Sequence, residues 1–318
     1  MKKIAIMTSG GDAPGMNAAI RAVVRTALYN GIEVMGVERG FYGLVNGDIK
    51  PMGIRSVSDI INKGGTILKT ARMDSFHQAA VQKKAAQVLE VFRVEGLIVI
   101  GGDGSFMGAS KLSELGINTI GIPGTIDNDL AYTDFTLGFD TAVNTVVEAI
   151  SKIKDTSASH ERCSIVEVMG RNSGDIALYA GIAGGAEMIV VPEKPFSVKD
   201  VMKVILEGRS KFKDHYIIVV AEGVDGAENL GKHIEALTGL ETRTTVLGYV
   251  QRGGSPSAVD RLLAARFGHR SVELLMSGLS NRVVGIHDNQ IIDMDIHEAL
   301  DMKKVFNDKL LTISNEIA

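Results

Sequence analysis

Short, uniformly apolar runs alternate along this chain with stretches whose apolar residues recur every three or four positions. The runs are Ile4 to Met7, Val34 to Val37, Leu97 to Ile100, Thr119 to Ile122, Ser164 to Val168, Met188 to Val191, Tyr216 to Ala221 and Thr245 to Val250. A strand with one wet face alternates, so runs that do not alternate are covered on both faces, as in parallel sheets. Between them, Met16, Ile20, Val23, Val24, Ala27 and Leu28 form one helical stripe that stops at Gly31. Val143, Val146, Val147 and Ile150 form a second, with Asp140 as its expected N-cap. The predicted fold class is α/β, with largely parallel sheets flanked by helices. At 318 residues the chain has room for two domains of the usual ~150 residues.

In such sheets ligands sit at the carboxyl ends of strands, where turns meet helix N-termini. The polar residues are concentrated in those turns, which read TSGGDAPGMN at 8–17, GGDGS at 101–105, PGTIDND at 123–129, MGRNSGD at 169–175, AEG at 221–223 and QRGGSPS at 251–257. Gly10, Gly11, Gly101, Gly102 and Gly104 leave backbone N–H groups able to face a phosphate chain. The first turn has P-loop spacing from Gly10 to Gly15 but continues Met16-Asn17 rather than Lys-Ser/Thr, which excludes a Walker A site. The second misses the dinucleotide spacing, which removes the main support for hydride transfer.

A carboxylate aimed at phosphates repels them unless a divalent cation intervenes, so Asp103 points to Mg²⁺; an Asp capping the following helix is the plainer alternative. Asp127 and Asp129, two apart after a strand, are expected to project to one side of an extended stretch beside Thr125. One of them could accept the proton of an alcohol being phosphorylated, and an Asx turn is the alternative. Arg162, Arg171, Arg243 and Arg252 flank strands and offer planar forks for phosphate oxygens. Glu222 ends an apolar strand as a possible acceptor for sugar hydroxyls. Arg21 and Arg25 share a helix face, while Lys211, Lys213 and His215 alternate before a strand, a second basic set that suits another phosphate ligand.

Composition narrows the class of partner. The net charge of −4 and the lack of long basic runs give no general attraction for nucleic acid or an anionic membrane. No segment approaches the ~20 apolar residues of a spanning helix, and the single cysteine, Cys163, cannot form an internal disulfide. A cytoplasmic location is expected. The residues alone thus describe a Mg²⁺-dependent phosphotransferase acting on a phosphorylated alcohol.

Taken in order, these turns closely resemble those of the bacterial ATP-dependent 6-phosphofructokinases, from TSGGDAPGMN through QRGGSPS, over essentially the whole chain. The resemblance implies an ATP-binding domain of residues 1–138 plus 251–301 and a fructose 6-phosphate-binding domain of 139–250 plus 302–318. It implies an ATP site at Gly11, Arg72, Gly102, Asp103, Gly104, Ser105 and Gly108, with Asp103 serving Mg²⁺. Asp127 matches the proton acceptor for the sugar 1-hydroxyl. Thr125, Asp129, Met169, Gly170, Arg171 and Glu222 match sugar-phosphate and transition-state contacts, with Arg252 and Tyr249 at the 6-phosphate. Arg162 and Arg243 match arginines that reach a neighbouring subunit's site, which implies a homotetramer. An effector site for ADP or phosphoenolpyruvate is implied at Arg21, Arg25, Arg55, Asp59, Lys154, Glu187, Lys211, Lys213 and His215.

Four positions refine this resemblance. Gly104 and Gly124 stand where pyrophosphate-using relatives typically carry an aspartate and a lysine, which favours ATP. Tyr249 replaces a common histidine and brings a hydroxyl without an imidazole's partial positive charge, so weaker sugar-phosphate affinity is expected. Ile54 and Lys154 fall where arginines are usual; Arg55 adjoins the first, and Lys154 keeps charge but loses the fork. The competing readings are a pyrophosphate-dependent or other sugar-phosphate kinase, or a non-catalytic nucleotide and sugar-phosphate sensor.

Overall fold

The computed structural model describes residues 1–224 and 226–318. In chain order the strands are β1 (Lys3–Thr8), β2 (Glu33–Val37), β3 (Ile49–Met52), β4 (Gly96–Gly101), β5 (Asn118–Pro123), β6 (Cys163–Val168), β7 (Met188–Val190), β8 (Tyr216–Ala221), β9 (Thr242–Val246), β10 (Arg282–His287) and β11 (Gln290–Asp295). The α-helices are α1 (Met16–Tyr29), α2 (Gly40–Asn46), α3 (Ala79–Val91), α4 (Asp103–Glu114), α5 (Phe139–Ser159), α6 (Asp175–Gly184), α7 (Val198–Ser210), α8 (Ala227–Thr238), α9 (Ala258–Met276), α10 (Ile296–Asp301) and α11 (Asp308–Ile317). They fall into two compact units.

The first unit comprises Met1–Ile126, Leu130–Thr141 and Arg252–Lys304. Its seven-stranded sheet runs β11-β10-β5-β4-β1-β2-β3. The five inner strands are parallel, and both edge strands pair antiparallel with their neighbours. Every residue of β4 is buried, as the unbroken apolar run demands of a strand covered on both faces. Phe41, Leu89, Phe106, Leu112 and Tyr132 belong to the core on one face. The helices α1 and α9 pack together at close range, because a Cβ on Gly268 would stand 2.6 Å from Ala22 Cβ and 3.1 Å from the Val23 backbone nitrogen. The N-terminus of α9 is anchored by a buried carboxylate. Asp260 accepts the N–H groups of Gly138 and Thr141, each at 2.9 Å, and the Thr141 hydroxyl.

The second unit comprises Asp127–Asp129, Ala142–Gln251 and Val305–Ala318. Its four-stranded sheet, β7-β8-β6-β9, is parallel throughout. Its core joins Ile165, Val190, Val201, Ile205, Tyr216, Ile218 and Ile234. Cys163 is buried there, and burial pushes its thiol up to about 12.

Two local expectations change. The run Thr245 to Val250 straddles the end of β9, which begins at Thr242 and gives way at Gly248 (φ 55°) to a 3₁₀ turn over Gly248–Arg252. As an edge strand β9 buries only Thr242 and exposes Arg243 and Val246, so an unbroken apolar run marks the wrong residues. Asp140 lies inside the first turn of α5 rather than at its N-cap, where its carboxylate faces the positive end of the helix.

Candidate active site

In the first unit the register of the sheet assembles the turns. β4 lies between β1 and β5, with Thr8 beside Ile100 and Gly101 beside Pro123, so the turns after these three strands emerge side by side. Backbone bonds fasten them together: Ser9 N–H donates to the Ile100 carbonyl and Gly124 N–H to that of Gly101, both at 2.9 Å. Any side chain on Gly101 would stand 2.6 Å from the Ser9 carbonyl and overlap the Ser105 hydroxyl, so glycine is what lets the first two turns close. Gly10 takes φ 83°, the left-handed region.

Most of the expected ATP residues gather here. Gly11, Gly102, Asp103, Gly104 and Ser105 occupy the ends of β1 and β4, with Thr125 next to Gly102. Asp103 opens α4 with its carboxylate exposed, and its Oδ1 accepts the Gly104 N–H at 2.7 Å. Beyond Gly104 a Cβ would meet nothing within 4 Å. An exposed carboxylate beside open space at a helix N-terminus fits a hydrated Mg²⁺ on a phosphate chain. Gly108 sits differently: the Phe41 ring covers its Cα, so its missing side chain serves packing between α4 and α2. Arg72 is exposed, two residues after Thr70, whose hydroxyl donates to the Gly10 carbonyl at 2.7 Å. Arg252 folds its guanidinium over Gly11, into the space a Cβ there would need.

In the second unit one carboxylate organises the sugar-phosphate candidates. Glu222 Oε1 accepts the N–H groups of Gly170, at 3.1 Å, and Arg171, at 2.8 Å. These residues hold φ values of 143° and 55°, and Gly223 packs against the Arg171 carbonyl so closely that no side chain fits. Met169 N–H donates to Oε1 of the buried Gln251 at 3.1 Å, tying the turn to the segment that exposes Tyr249. Arg171 Nη1 reaches Asp129 Oδ2 at 3.5 Å.

The aspartates of the 127–129 stretch do not lie along an extended strand. Asn128 adopts φ 49°, which breaks the alternation, and its side-chain N–H donates to Asp175 Oδ2 at 2.9 Å. The pair is therefore differentiated: Asp127 is buried, and Asp129 is half-buried beside Arg171. Asn128, Asp175 and Gln251 are the shaping residues that spacing alone does not reveal, since each acts through bonds to residues distant in the sequence.

Arg162 and Arg243 lie elsewhere. Arg162 precedes β6 and Arg243 pairs with Ser164 near its start, whereas Met169 to Arg171 follow its end. At about 3.3 Å per residue, the six-residue β6 separates the two ends by roughly 20 Å. Glu241 bonds Arg243 at 2.7 Å and approaches Arg162 at 3.7 Å. The effector candidates divide likewise. Arg21 and Arg25 on α1, with Arg55 and Asp59 after β3, belong to the first unit. In the second, Lys213 pairs with Glu187 at 2.5 Å, Lys154 reaches the Gly185 carbonyl at 3.4 Å and His215 bonds Asp214 at 2.7 Å, with Lys211 exposed at the end of α7.

The phosphofructokinase family profile matches residues 3–275. The ATP-dependent 6-phosphofructokinase 1 of Clostridium perfringens is 63% identical over 317 residues, covering 100% of this chain and 99% of that protein. The ATP-dependent 6-phosphofructokinase of Clostridium tetani is 64% identical over 318 residues, covering both chains fully, at 100% each. Among solved structures, phosphofructokinase from Saccharomyces cerevisiae superposes with a TM-score of 0.89 at 37% identity, over 94% of this chain and 45% of that one. A pyrophosphate-dependent phosphofructokinase from Marinobacter aquaeolei shares the fold, with a TM-score of 0.86 at 24% identity over 99% of this chain and 88% of that one.

Proposed function

The chain belongs to the phosphofructokinase family, and on that premise we propose that it transfers the γ-phosphoryl group of ATP to the 1-hydroxyl of fructose 6-phosphate, releasing ADP and fructose 1,6-bisphosphate. The observation that carries this reading is the alignment of the β1, β4 and β5 turns, with Asp127 on the segment that continues from β5. The full-length match to relatives named for ATP supports the donor, as does the open space beyond Gly104.

The chain's own groups divide the work. The Gly10–Gly11 turn and the Gly102–Ser105 turn at the N-terminus of α4 bind the phosphates, with Arg72 beside them, and Asp103 would hold Mg²⁺. Mg²⁺, when bound, neutralises charge on the phosphate chain. Asp127 accepts the proton of the sugar 1-hydroxyl as that oxygen bonds to the γ-phosphorus and the bond to the β–γ bridging oxygen breaks, the electron pair leaving with ADP. Arg171 stabilises charge on the transferring group, Thr125, Asp129, Met169, Gly170 and Glu222 orient the sugar, and Arg252 with Tyr249 binds the 6-phosphate. Gly108 serves this site by seating Phe41.

The wide separation of Arg162 and Arg243 from the 169–171 turn supports a homotetramer in which each subunit lends these arginines to a neighbour. The charged clusters at Glu187, Lys211, Lys213 and His215, and at Arg21, Arg25, Arg55 and Asp59, support regulation by ADP or phosphoenolpyruvate in the cytoplasm. A velocity curve unmoved by either effector removes that part of the reading.

The test is fructose 1,6-bisphosphate formation with ATP and with pyrophosphate in parallel, for the wild type and Asp127→Ser. Turnover with ATP alone, falling about 10²-fold or more in the variant, is expected for loss of a general base. Turnover with pyrophosphate overturns the assigned donor, and none with either donor favours a sensor.

A further inference from the structure

By its spacing Asn17 serves only to exclude a Walker A turn. In the fold it is 1% exposed, at the start of α1, and its amide is fully engaged with the segment between β3 and α3. Asn17 Nδ2 donates to the carbonyls of Lys63 and Gly64, both at 3.1 Å, and Oδ1 accepts the Ile67 N–H at 2.8 Å. Three bonds from one buried side chain thus fix the backbone of residues 63–67.

The same segment is fastened at both ends within the first unit. Thr8 donates its hydroxyl to the Lys69 carbonyl at 2.9 Å and so accepts that of Thr66, also at 2.9 Å. Thr70 donates to the Gly10 carbonyl. Ser255 donates to the Asn62 carbonyl at 2.7 Å, and Gly64 lies so close to the Gly254 carbonyl that no side chain fits between them. Leu68 is the segment's one fully buried apolar anchor. Residues 62–70 therefore form a strap, held mainly by polar bonds, that joins turn 8–17 to turn 252–257 and leads directly to Arg72.

We propose that Asn17 is a positioning residue: it docks the 62–70 strap, and through the strap it sets the Gly10–Gly11 turn and Arg72 for the phosphates of the nucleotide. The chemistry requires an amide, because its N–H₂ serves two carbonyls while its oxygen serves an N–H. A carboxylate of the same shape turns both carbonyl contacts into repulsions. This inference rests on the kinase reading for its ligand, but the docking of the strap is separately measurable.

Hydrogen exchange at Ile67, tryptic cleavage at Lys63 and Lys69, and calorimetric binding of MgATP are compared for the full-length wild type, Asn17→Ala and Asn17→Asp. Exchange and cleavage are expected to accelerate at least about tenfold, and the MgATP Kd to rise about tenfold, as loss of bonds to a buried group implies. In turnover assays the KM for ATP follows its Kd. Should Asn17→Ala fail to fold, Thr70→Val removes the exposed bond to Gly10 alone. It is expected to weaken MgATP binding about threefold without lowering the melting temperature. Faster exchange with unchanged MgATP affinity makes Asn17 merely structural and overturns the proposal. Weaker affinity with unchanged exchange removes the strap from the mechanism and overturns it as well. An inactive wild type that still binds MgATP more tightly than Asn17→Ala defeats the proposed reaction while leaving the strap's role supported.

Discussion

Glu222 Oε1 accepts the backbone N–H of Arg171 at 2.8 Å across 51 residues of chain. Arg171 pays for its position in backbone strain, since φ 55° costs an L-residue on the order of 1–2 kcal/mol. Removing the acceptor releases a strained turn whose guanidinium, on the proposed roles, stabilises charge on the transferring phosphoryl group. Glu222→Ala is expected to lower kcat at least about tenfold, at roughly 1.4 kcal/mol per decade, whereas Glu222→Gln keeps an acceptor oxygen and most of the activity. Steady-state kinetics of the two variants decides the point: equal impairment shows that charge on Glu222, rather than acceptance from the turn, is what matters.

The guanidinium of Arg252 occupies the space that a Cβ on Gly11 would need. Gly11 lies outside the left-handed region, so alanine fits its backbone, and the flexible arginine end is what must yield. Gly11→Ala is therefore expected to fold normally and to displace Arg252. On the proposed roles its KM for fructose 6-phosphate rises about fivefold or more, which corresponds to roughly 1 kcal/mol. A variant whose only defect is toward ATP assigns Gly11 to phosphate approach instead.

Burial pushes the Asp260 carboxyl up to about 6, against the bonds it accepts from Thr141 and Gly138. The unfolded chain has this group near 3.9, so between about pH 4 and 6 the folded protein holds the extra proton. Stability from this group is fully present below the unfolded pKa and is lost as pH rises through about 6. Taking the wild type from pH 7 to pH 5 should add on the order of 1 kcal/mol through Asp260. In Asp260→Asn that increment disappears, while overall stability falls because the amide N–H₂ must face one of the N–H donors. Denaturant unfolding of both proteins at the two pH values checks this; parallel pH dependence excludes Asp260 as its source.

The parts of the fold that were legible are those where one physical demand acts alone. Residues Leu97 to Ile100 read as a strand because β4 is covered on both faces, and α1 stops at Gly31 because the chain turns left-handed there, at φ 73°. Edges were less legible. The half-exposed edge strand β9 has its apolar residues at and beyond its end, and β3, β10 and β11 carry mixed sequences such as IKPM and QIIDMD. The β10–β11 reversal at Asp288 and Asn289, both at positive φ, was nevertheless written in residues that tolerate it. In the candidate site, the glycine turns were visible because phosphate binding needs bare backbone. Asn17, Asn128, Gln251 and Asp260 were not, because each shapes its surroundings through bonds to residues tens of positions away.

Gly104 and Gly124 both favour ATP over pyrophosphate on the family resemblance, yet their surroundings differ. A Cβ on Gly104 meets nothing within 4 Å, while one on Gly124 would stand 2.8 Å from Ile100 Cγ2 and 3.2 Å from Met16 Cε. A larger residue at 124 therefore overpacks the joint between β4 and α1, at about 1–3 kcal/mol. Gly104→Asp adds a carboxylate in open space beside Asp103, so its effect should fall on the donor. It is expected to leave the melting temperature within about 2 °C, as surface changes usually do, and to raise the KM for ATP. Gly124→Lys should lower the melting temperature by several degrees whichever donor is used, because its first carbons collide before its charge can act. Thermal unfolding of the two variants beside ATP kinetics separates the cases. An unstable Gly104→Asp, or a Gly124→Lys as stable as the wild type, shows that packing around these glycines is not what distinguishes them.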